Sequence, residues 1–191
     1  LQTSPRFQPA SNMNFCSNCG ASVRIEVPAG DNRPRHVCPN CGAIHYHNPK
    51  MVVGCIPEWE DKILLCRRAI EPKHGFWTLP GGFMENGETT AEGAARETLE
   101  EAGARVEVLN LYSMISLPDI NQVYLLFRAK LLHLDFAPGE ESLEASLFSE
   151  AEIPWEQLAF RAIERTLRLY YDDRRAGDFP LRIGNVFHKP R

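Results

Sequence analysis

The chain of 191 residues carries 25 acidic and 21 basic side chains, for a net charge of −4 and a pI of about 5.9. That length admits one sizeable core and a small accessory module. With 24 % charged and 43 % hydrophobic residues, the composition excludes a disordered or membrane-embedded chain, and no apolar run reaches the roughly 18 residues of a membrane span. The acidic balance gives no general attraction to nucleic acid or anionic lipid, so an anionic substrate has to be held by local cations and a metal.

Residues 1–12, LQTSPRFQPASN, have no periodicity and are expected to form a flexible tail or an expression remnant, with Met13 as the native start. Arg6 and the lack of acids in this stretch also suit the end of a transit peptide. An apolar core of the kind found in secretory signals is missing.

Residues 13–47 form the first unit. Cys16-x2-Cys19, then 18 residues, then Cys38-x2-Cys41 is a zinc-ribbon spacing. Gly20 and Gly42 each follow a pair, where the knuckle that wraps a metal needs a residue tolerant of positive φ. Four thiolates make a closed tetrahedral site, so the expected Zn²⁺ is structural and supplies folding energy to a module with little core. His36, His45 and His47 lie nearby, but the four cysteines complete the site without them. Nucleic-acid binding by the ribbon is the alternative role. Its basic residues (Arg24, Arg33, Arg35 and Lys50) have little aromatic interleaving. The remaining cysteines, Cys55 and Cys66, sit in apolar runs as buried thiols. The expected compartment is therefore reducing: the cytoplasm, or the stroma of an organelle.

Residues 48–191 form the second unit. Met51–Ile56 and Lys62–Arg67 are expected to be strands of a hairpin with a polar turn between them. A loop over 69–78 leads through Leu79-Pro-Gly-Gly82 to a helix. Thr89 and Glu92 make a capping box that starts the helix near Thr90, and Gly103 stops it. Val106–Ile115 and Gln122–Leu132 are further strands, joined by a turn at Pro118–Asn121. A loop over 137–142 bears Glu140 and Glu141, and Ala145–Phe148 is a short strand. From Pro154 a helix of about 15 residues is expected, burying Leu158, Ala159, Ala162, Ile163, Leu167 and Tyr170. An extended tail from Gly177 follows. The mixture of strands and helices is an α+β architecture.

The chemistry concentrates on Gly82-Phe-Met-Glu-Asn-Gly-Glu88 and Arg96-Glu97-Thr98-Leu99-Glu100-Glu101. At about 100° per residue, Glu100 and Glu101 flank Glu97 by about 60° and 40°, so three carboxylates share one arc of the helix. Ala91, Ala95, Leu99 and Ala102 form an apolar stripe expected to nail the helix down by the other face. Such a cluster suits a hard cation, Mg²⁺ or Mn²⁺, and a cation on carboxylates suits phosphoryl chemistry.

The spacing Gly82-x5-Glu88-x7-Arg96-Glu97-x2-Glu100-Glu101-x-Gly103 resembles the signature of the Nudix hydrolases, with Thr98 and Ala104 departing from it at packing positions. The resemblance implies an α/β/α sandwich with a mixed sheet, preceded here by the small four-cysteine zinc ribbon. It also implies that the Gly82 carbonyl, Glu97, Glu100 and Glu101 hold the catalytic cation, with Glu100 an alternative water activator, and that Arg96 holds Glu88. In this family the general base can lie on a later loop, where Glu141 is the candidate and Glu144 the second. Arg67 and Arg68 are candidates for gripping phosphates, and Trp77, with Phe76 and Tyr112, for stacking on a base.

NADH pyrophosphatases also place a zinc ribbon before the box, but their SQPWPFPxS array is absent after Gly103. NPKMVVGCI, ILLCRR, GFWTLPGGFMENGE, RETLEEAGA, FAPGEESLEASLF and EIPWEQLAF more closely resemble the zinc-ribbon Nudix enzymes typified by plant chloroplast ADP-ribose/FAD pyrophosphatases. That likeness implies hydrolysis of ADP-ribose or FAD to AMP plus ribose 5-phosphate or FMN, by a homodimer. NADH hydrolysis, hydrolysis of capped RNA and a non-catalytic nucleotide sensor are the alternatives.

Overall fold

The computed structural model of the protein describes residues 13–187. The expectation for residues 1–12 lies outside them. The chain divides between Pro49 and Lys50 into two compact units.

The first unit is a three-stranded antiparallel sheet of very short strands, β1 (Arg24–Glu26), β2 (Arg35–Val37) and β3 (Ile44–His45). Within residues 13–49 the buried side chains are Cys16, His36 and Cys38. So little apolar surface cannot offset the entropy of ordering the segment.

The second unit is built on β4 (Lys50–Trp59), β5 (Lys62–Arg68), β6 (Trp77–Thr78), β7 (Gly81–Phe83), α1 (Thr90–Ala102), β8 (Val106–Leu117), β9 (Gln122–Leu131), β10 (Ser142–Phe148), α2 (Arg161–Ala176) and β11 (Arg182–Asn185). The main path of its mixed sheet runs β10-β5-β4-β9-β8-β11, with β6 paired to β5 and β7 to β4. The β4–β9 and β8–β11 pairs are parallel and the others antiparallel. Helices cover both faces, so the central strands are continuously apolar and alternate between two cores. Val52, Ile56, Ile63, Leu65 and Leu126 pack toward Ile163, Leu167 and Tyr170 of α2. Val53, Cys55, Leu125 and Phe127 pack toward Ala94 of α1. Cys55 and Cys66 are buried thiols, and burial pushes them up to about 11 and about 12.

Three expectations are corrected. The helix expected from Pro154 begins only at Arg161 and continues to Ala176. Pro154 instead precedes a single 3₁₀ turn, Trp155–Gln157. Leu158 and Ala159 are then drawn into extended backbone beside Trp77, whose carbonyl accepts the Ala159 N–H at 2.8 Å. The tail from Gly177 is not merely extended: Arg182–Asn185 adds a parallel edge strand to β8. There Arg182 donates to Asp173, a buried carboxylate that also accepts the Tyr112 hydroxyl at 2.6 Å. The third correction concerns α1. Its buried residues are Gly93, Ala94, Thr98, Glu101 and Ala102, whereas Leu99 of the expected stripe is 45 % exposed. The helix is rotated from the apolar stripe toward its small residues, so the carboxylates straddle the buried edge and do not face away from it.

Candidate active site

Local sequence sets the helix that carries the site. The Thr89 side chain accepts the Glu92 N–H, Glu92 returns the bond to the Thr89 N–H, and Gly103 closes the C-terminus in the left-handed conformation. Small residues let α1 lie close on the sheet. The Glu97 carboxylate rests on Gly82, 2.5–2.6 Å from where a Cβ would stand, so a larger residue there would push that carboxylate aside. Glu101, 7 % exposed, reaches under the helix and accepts the Gly81 N–H at 3.2 Å. Thr98 is fully buried, with its hydroxyl bonded to the Ala94 carbonyl at 2.8 Å.

Arg96 organises the cluster. Its guanidinium forks onto Glu88 at 3.0 and 2.9 Å, with Nη1 donating to Glu97 at 2.8 Å and Glu100 at 2.9 Å, and Nη2 to the Phe83 carbonyl at 3.2 Å. A planar fork with five donors suits this role and an ammonium does not. The Arg96 hydrogen bonds, with the Glu85 N–H, hold the Glu88 carboxyl down at about 2. Burial acts the other way on the helix: it raises Glu97 and pushes Glu101 up to about 7. Two carboxylates in one site are thus uncomfortable as anions, which is the electrostatic signature of a place for a cation. Side-chain exposure grades from 12 % at Glu97 to 58 % at Glu100.

The donor set fits a hard divalent ion: carboxylate oxygens beside the Gly81–Gly82 backbone. Among the described residues, only Cys16, Cys19, Cys38 and Cys41 gather three or more metal-type donor atoms within 4.8 Å. The Glu97 and Glu100 carboxylates are hydrogen-bonded to Arg96 instead. The four cysteines are already gathered. Their sulfurs lie 3.7 Å (Cys16–Cys41) and 3.5 Å (Cys19–Cys38) apart, close to the ~3.8 Å edge of a tetrahedron with ~2.3 Å Zn–S bonds. Gly20 and Gly42 both have φ +74° and bond back to the carbonyls of Cys16 and Cys38 at 2.9 Å, making two matching knuckles. His45 Nε2 lies 3.3 Å from the Cys16 sulfur, placed to orient that thiolate.

Of the other candidates, Arg67 and Arg68 end β5 and are tethered through Nε to the carbonyls of Gly75 and Pro72. The Arg68 charge acts on both Glu101 and Tyr124, and its guanidinium lies over the Phe160 ring at 5.1 Å from the centroid. Glu141 is exposed, and its charge acts on Glu97 and Glu101. Glu144 is engaged by the Ser146 hydroxyl at 2.9 Å. Trp77 is corrected: it is 7 % exposed and packs edge-to-face on Phe148 at 4.9 Å, a core residue and not an open stacking platform. Tyr112 is likewise core, fully buried. The close packing of Gly139 on the backbone of α1 escapes the sequence, where the glycine of Pro138-Gly139 reads as an ordinary turn.

Arg96→Ala should lower divalent-cation affinity about 10–100-fold, the usual effect of removing a group that orients ligands. Titration calorimetry with Mn²⁺ checks this, and unchanged affinity would show that Arg96 is only a surface pair.

The fold and the box define a hydrolase-type domain behind a zinc ribbon. Residues 14–47 match the Nudix N-terminal zinc-ribbon model and residues 48–170 the NUDIX domain model. The chain belongs to the Nudix family. It is similar to a NUDIX hydrolase of known structure from Nitrosomonas europaea, with 59 % identity and a TM-score of 0.90 over 92 % of this chain and all of that one. It is 34 % identical to an ADP-ribose pyrophosphatase of Methanocaldococcus jannaschii over 60 % of this chain and 69 % of that protein. It is 31 % identical to the NAD-capped RNA hydrolase NudC of Pseudomonas aeruginosa over 88 % of this chain. The match spans only 59 % of that protein's length.

Proposed function

We propose that the chain is a metal-dependent Nudix pyrophosphatase that cleaves a nucleoside diphosphate linked to a second group. ADP-ribose and FAD are the first candidates, giving AMP with ribose 5-phosphate or FMN. The observation that carries this reading is the set of Glu97 and Glu101 lowered onto Gly81–Gly82 and braced by the Arg96–Glu88 fork. Mg²⁺ or Mn²⁺ held by Glu97, Glu101, Glu100 and the Gly82 carbonyl would neutralise phosphate oxygens and acidify water. Arg67 and Arg68, whose tethers use Nε alone, offer their Nη donors to the pyrophosphate. Glu141 takes the proton of the attacking water as general base. The same reading includes the homodimer implied by the sequence likeness, to be checked by light scattering.

The similarity to an ADP-ribose pyrophosphatase supports the first candidate. NAD-linked substrates are the second reading, favoured because the likeness to the NAD-capped RNA hydrolase runs through ribbon and domain alike. A turnover screen decides: ADP-ribose, FAD, NADH and NAD-capped RNA, each with Mg²⁺ or Mn²⁺, with products read by chromatography. AMP with ribose 5-phosphate or FMN is expected. Preferential release of AMP from NADH would move the assignment to the second reading. A substrate-induced rise in Tm without turnover, from folded zinc-loaded protein, would leave a nucleotide sensor.

The protonation of Glu101 yields a pH prediction. Its carboxyl moves from 4.5 to about 7 on folding. Between those values the folded protein holds a proton that the unfolded chain has released. The Glu101 contribution to metal-free stability is therefore full below about 4.5 and is lost as pH rises through about 7. A cation takes the deprotonated carboxylates and offsets that loss. The rise in Tm caused by Mg²⁺ should grow from about pH 6 to about pH 8 in thermal melts. An equal or larger rise at the acid end would contradict it.

A further inference from the structure

We infer that Gly139 is a positioning residue that clamps the Glu141 loop onto the C-terminal end of α1, holding the Glu141 carboxylate beside Glu97 and Glu101. The inference rests on the reading of Glu141 as general base.

A helix ends with carbonyls that have no intrahelical partner. Here the loop supplies two of the missing donors: Ala137 N–H bonds the Ala102 carbonyl at 3.0 Å, and Gly139 N–H bonds the Glu101 carbonyl at 2.9 Å. The Gly139 carbonyl then accepts the Ser142 N–H at 3.1 Å, and the Glu141 carbonyl accepts the Ala69 N–H at 2.8 Å, next to Arg68. The segment is thus fastened on one side to the helix bearing the carboxylates and on the other to the strand end bearing Arg67 and Arg68.

The closeness of the clamp depends on glycine. A Cβ at position 139 would stand 1.7 Å from the Glu100 carbonyl oxygen and 2.9 Å from its carbon. Those are backbone atoms of α1 and cannot swing aside. Restoring ordinary contact would move the loop by roughly 1.5 Å, and a misplacement of about 1 Å is enough to cost on the order of 100-fold in rate.

The test is a double-mutant cycle on the full zinc-loaded chain, with ADP-ribose and Mg²⁺ as probes. Gly139→Ala should lower kcat about 100-fold, the scale of a lost general base, with KM and the Mg²⁺-induced Tm shift within about twofold of the parent. Glu141→Gln should fall similarly. In the Glu141→Gln background, Gly139→Ala should cost less than about threefold, because both act through one carboxylate. Full additivity, or loss in Gly139→Ala with an active Glu141→Gln, would overturn the clamp as a route to Glu141. An inactive Glu141→Gln with an active Gly139→Ala would overturn the clamp and leave the general base standing. Full activity in both would overturn the general base and the clamp together. If Gly139→Ala does not fold, Ala137→Pro carries the same cycle: it removes the amide that bonds Ala102 and sets its ring against that carbonyl, lifting the loop without touching Glu100.

Discussion

Glu101→Gln protein should turn over ADP-ribose about 10³-fold more slowly than the parent while melting at the same temperature or higher without metal at alkaline pH. A bound cation is worth several kcal/mol of charge stabilisation, and about 4 kcal/mol is a factor near 10³. The stability half follows from burial. Glu101 is nearly enclosed, and burial pushes its carboxyl up to about 7, so the anion is held there against its preference. A glutamine keeps the shape and can still accept the Gly81 N–H without the charge. Activity and metal-free stability should therefore move in opposite directions, the trade expected where a site is tuned for its ligand and not for the fold. Glu97→Gln should lose activity to a similar extent. Glu100→Gln should lose less, about tenfold, because its carboxylate is mostly in solvent and shares Arg96 with Glu97. Steady-state kinetics and paired melts check the ranking. Loss of stability together with activity in Glu101→Gln would show that the carboxylate is structural.

Cys38→Ser, or removal of zinc by a chelator, should unfold residues 13–49 while the second unit keeps its own melting transition. The two strand pairs of the ribbon contribute few hydrogen bonds, and its buried side chains are two of the four cysteines and His36. Structural zinc supplies about 10–16 kcal/mol in modules of this kind, far more than the ribbon's packing. Burial, with His47 and His45 beside it, holds the His36 imidazole below the ordinary value. Hydrogen exchange resolved along the chain checks the prediction, with a metal dye to count released zinc. Protection persisting over residues 13–49 after zinc removal would show that the ribbon folds without the ion.

The local parts of both candidate metal sites are readable in the sequence because short-range spacing sets them. The cysteine knuckles, the Thr89–Glu92 capping box and the Glu97–Glu101 arc each lie within a few residues, where backbone geometry converts sequence offset into position. What escaped depends on distant partners. The apolar stripe Ala91–Leu99 suggested one orientation of α1, but the sheet selected the small residues Gly93 and Ala94, whose size lets Glu97 and Glu101 descend onto Gly81–Gly82. Pro154 looked like a helix start because nothing local reveals that Leu158 and Ala159 pair with Trp77. The β11 strand is held by backbone pairing to β8, across some 70 residues, and has little apolar alternation to announce it. Trp77 and Tyr112 illustrate the same limit, since composition cannot say whether an aromatic ring faces a substrate or the core.

The most direct measurement is a Mn²⁺ titration followed by the electron paramagnetic resonance signal of the free ion, in the parent and in the Glu97→Gln/Glu101→Gln double variant. The parent should take up the ion, and the double variant should lose that binding while its zinc content and Tm are retained. Equal uptake by both proteins would contradict the assignment of the carboxylates on α1 as the catalytic metal site.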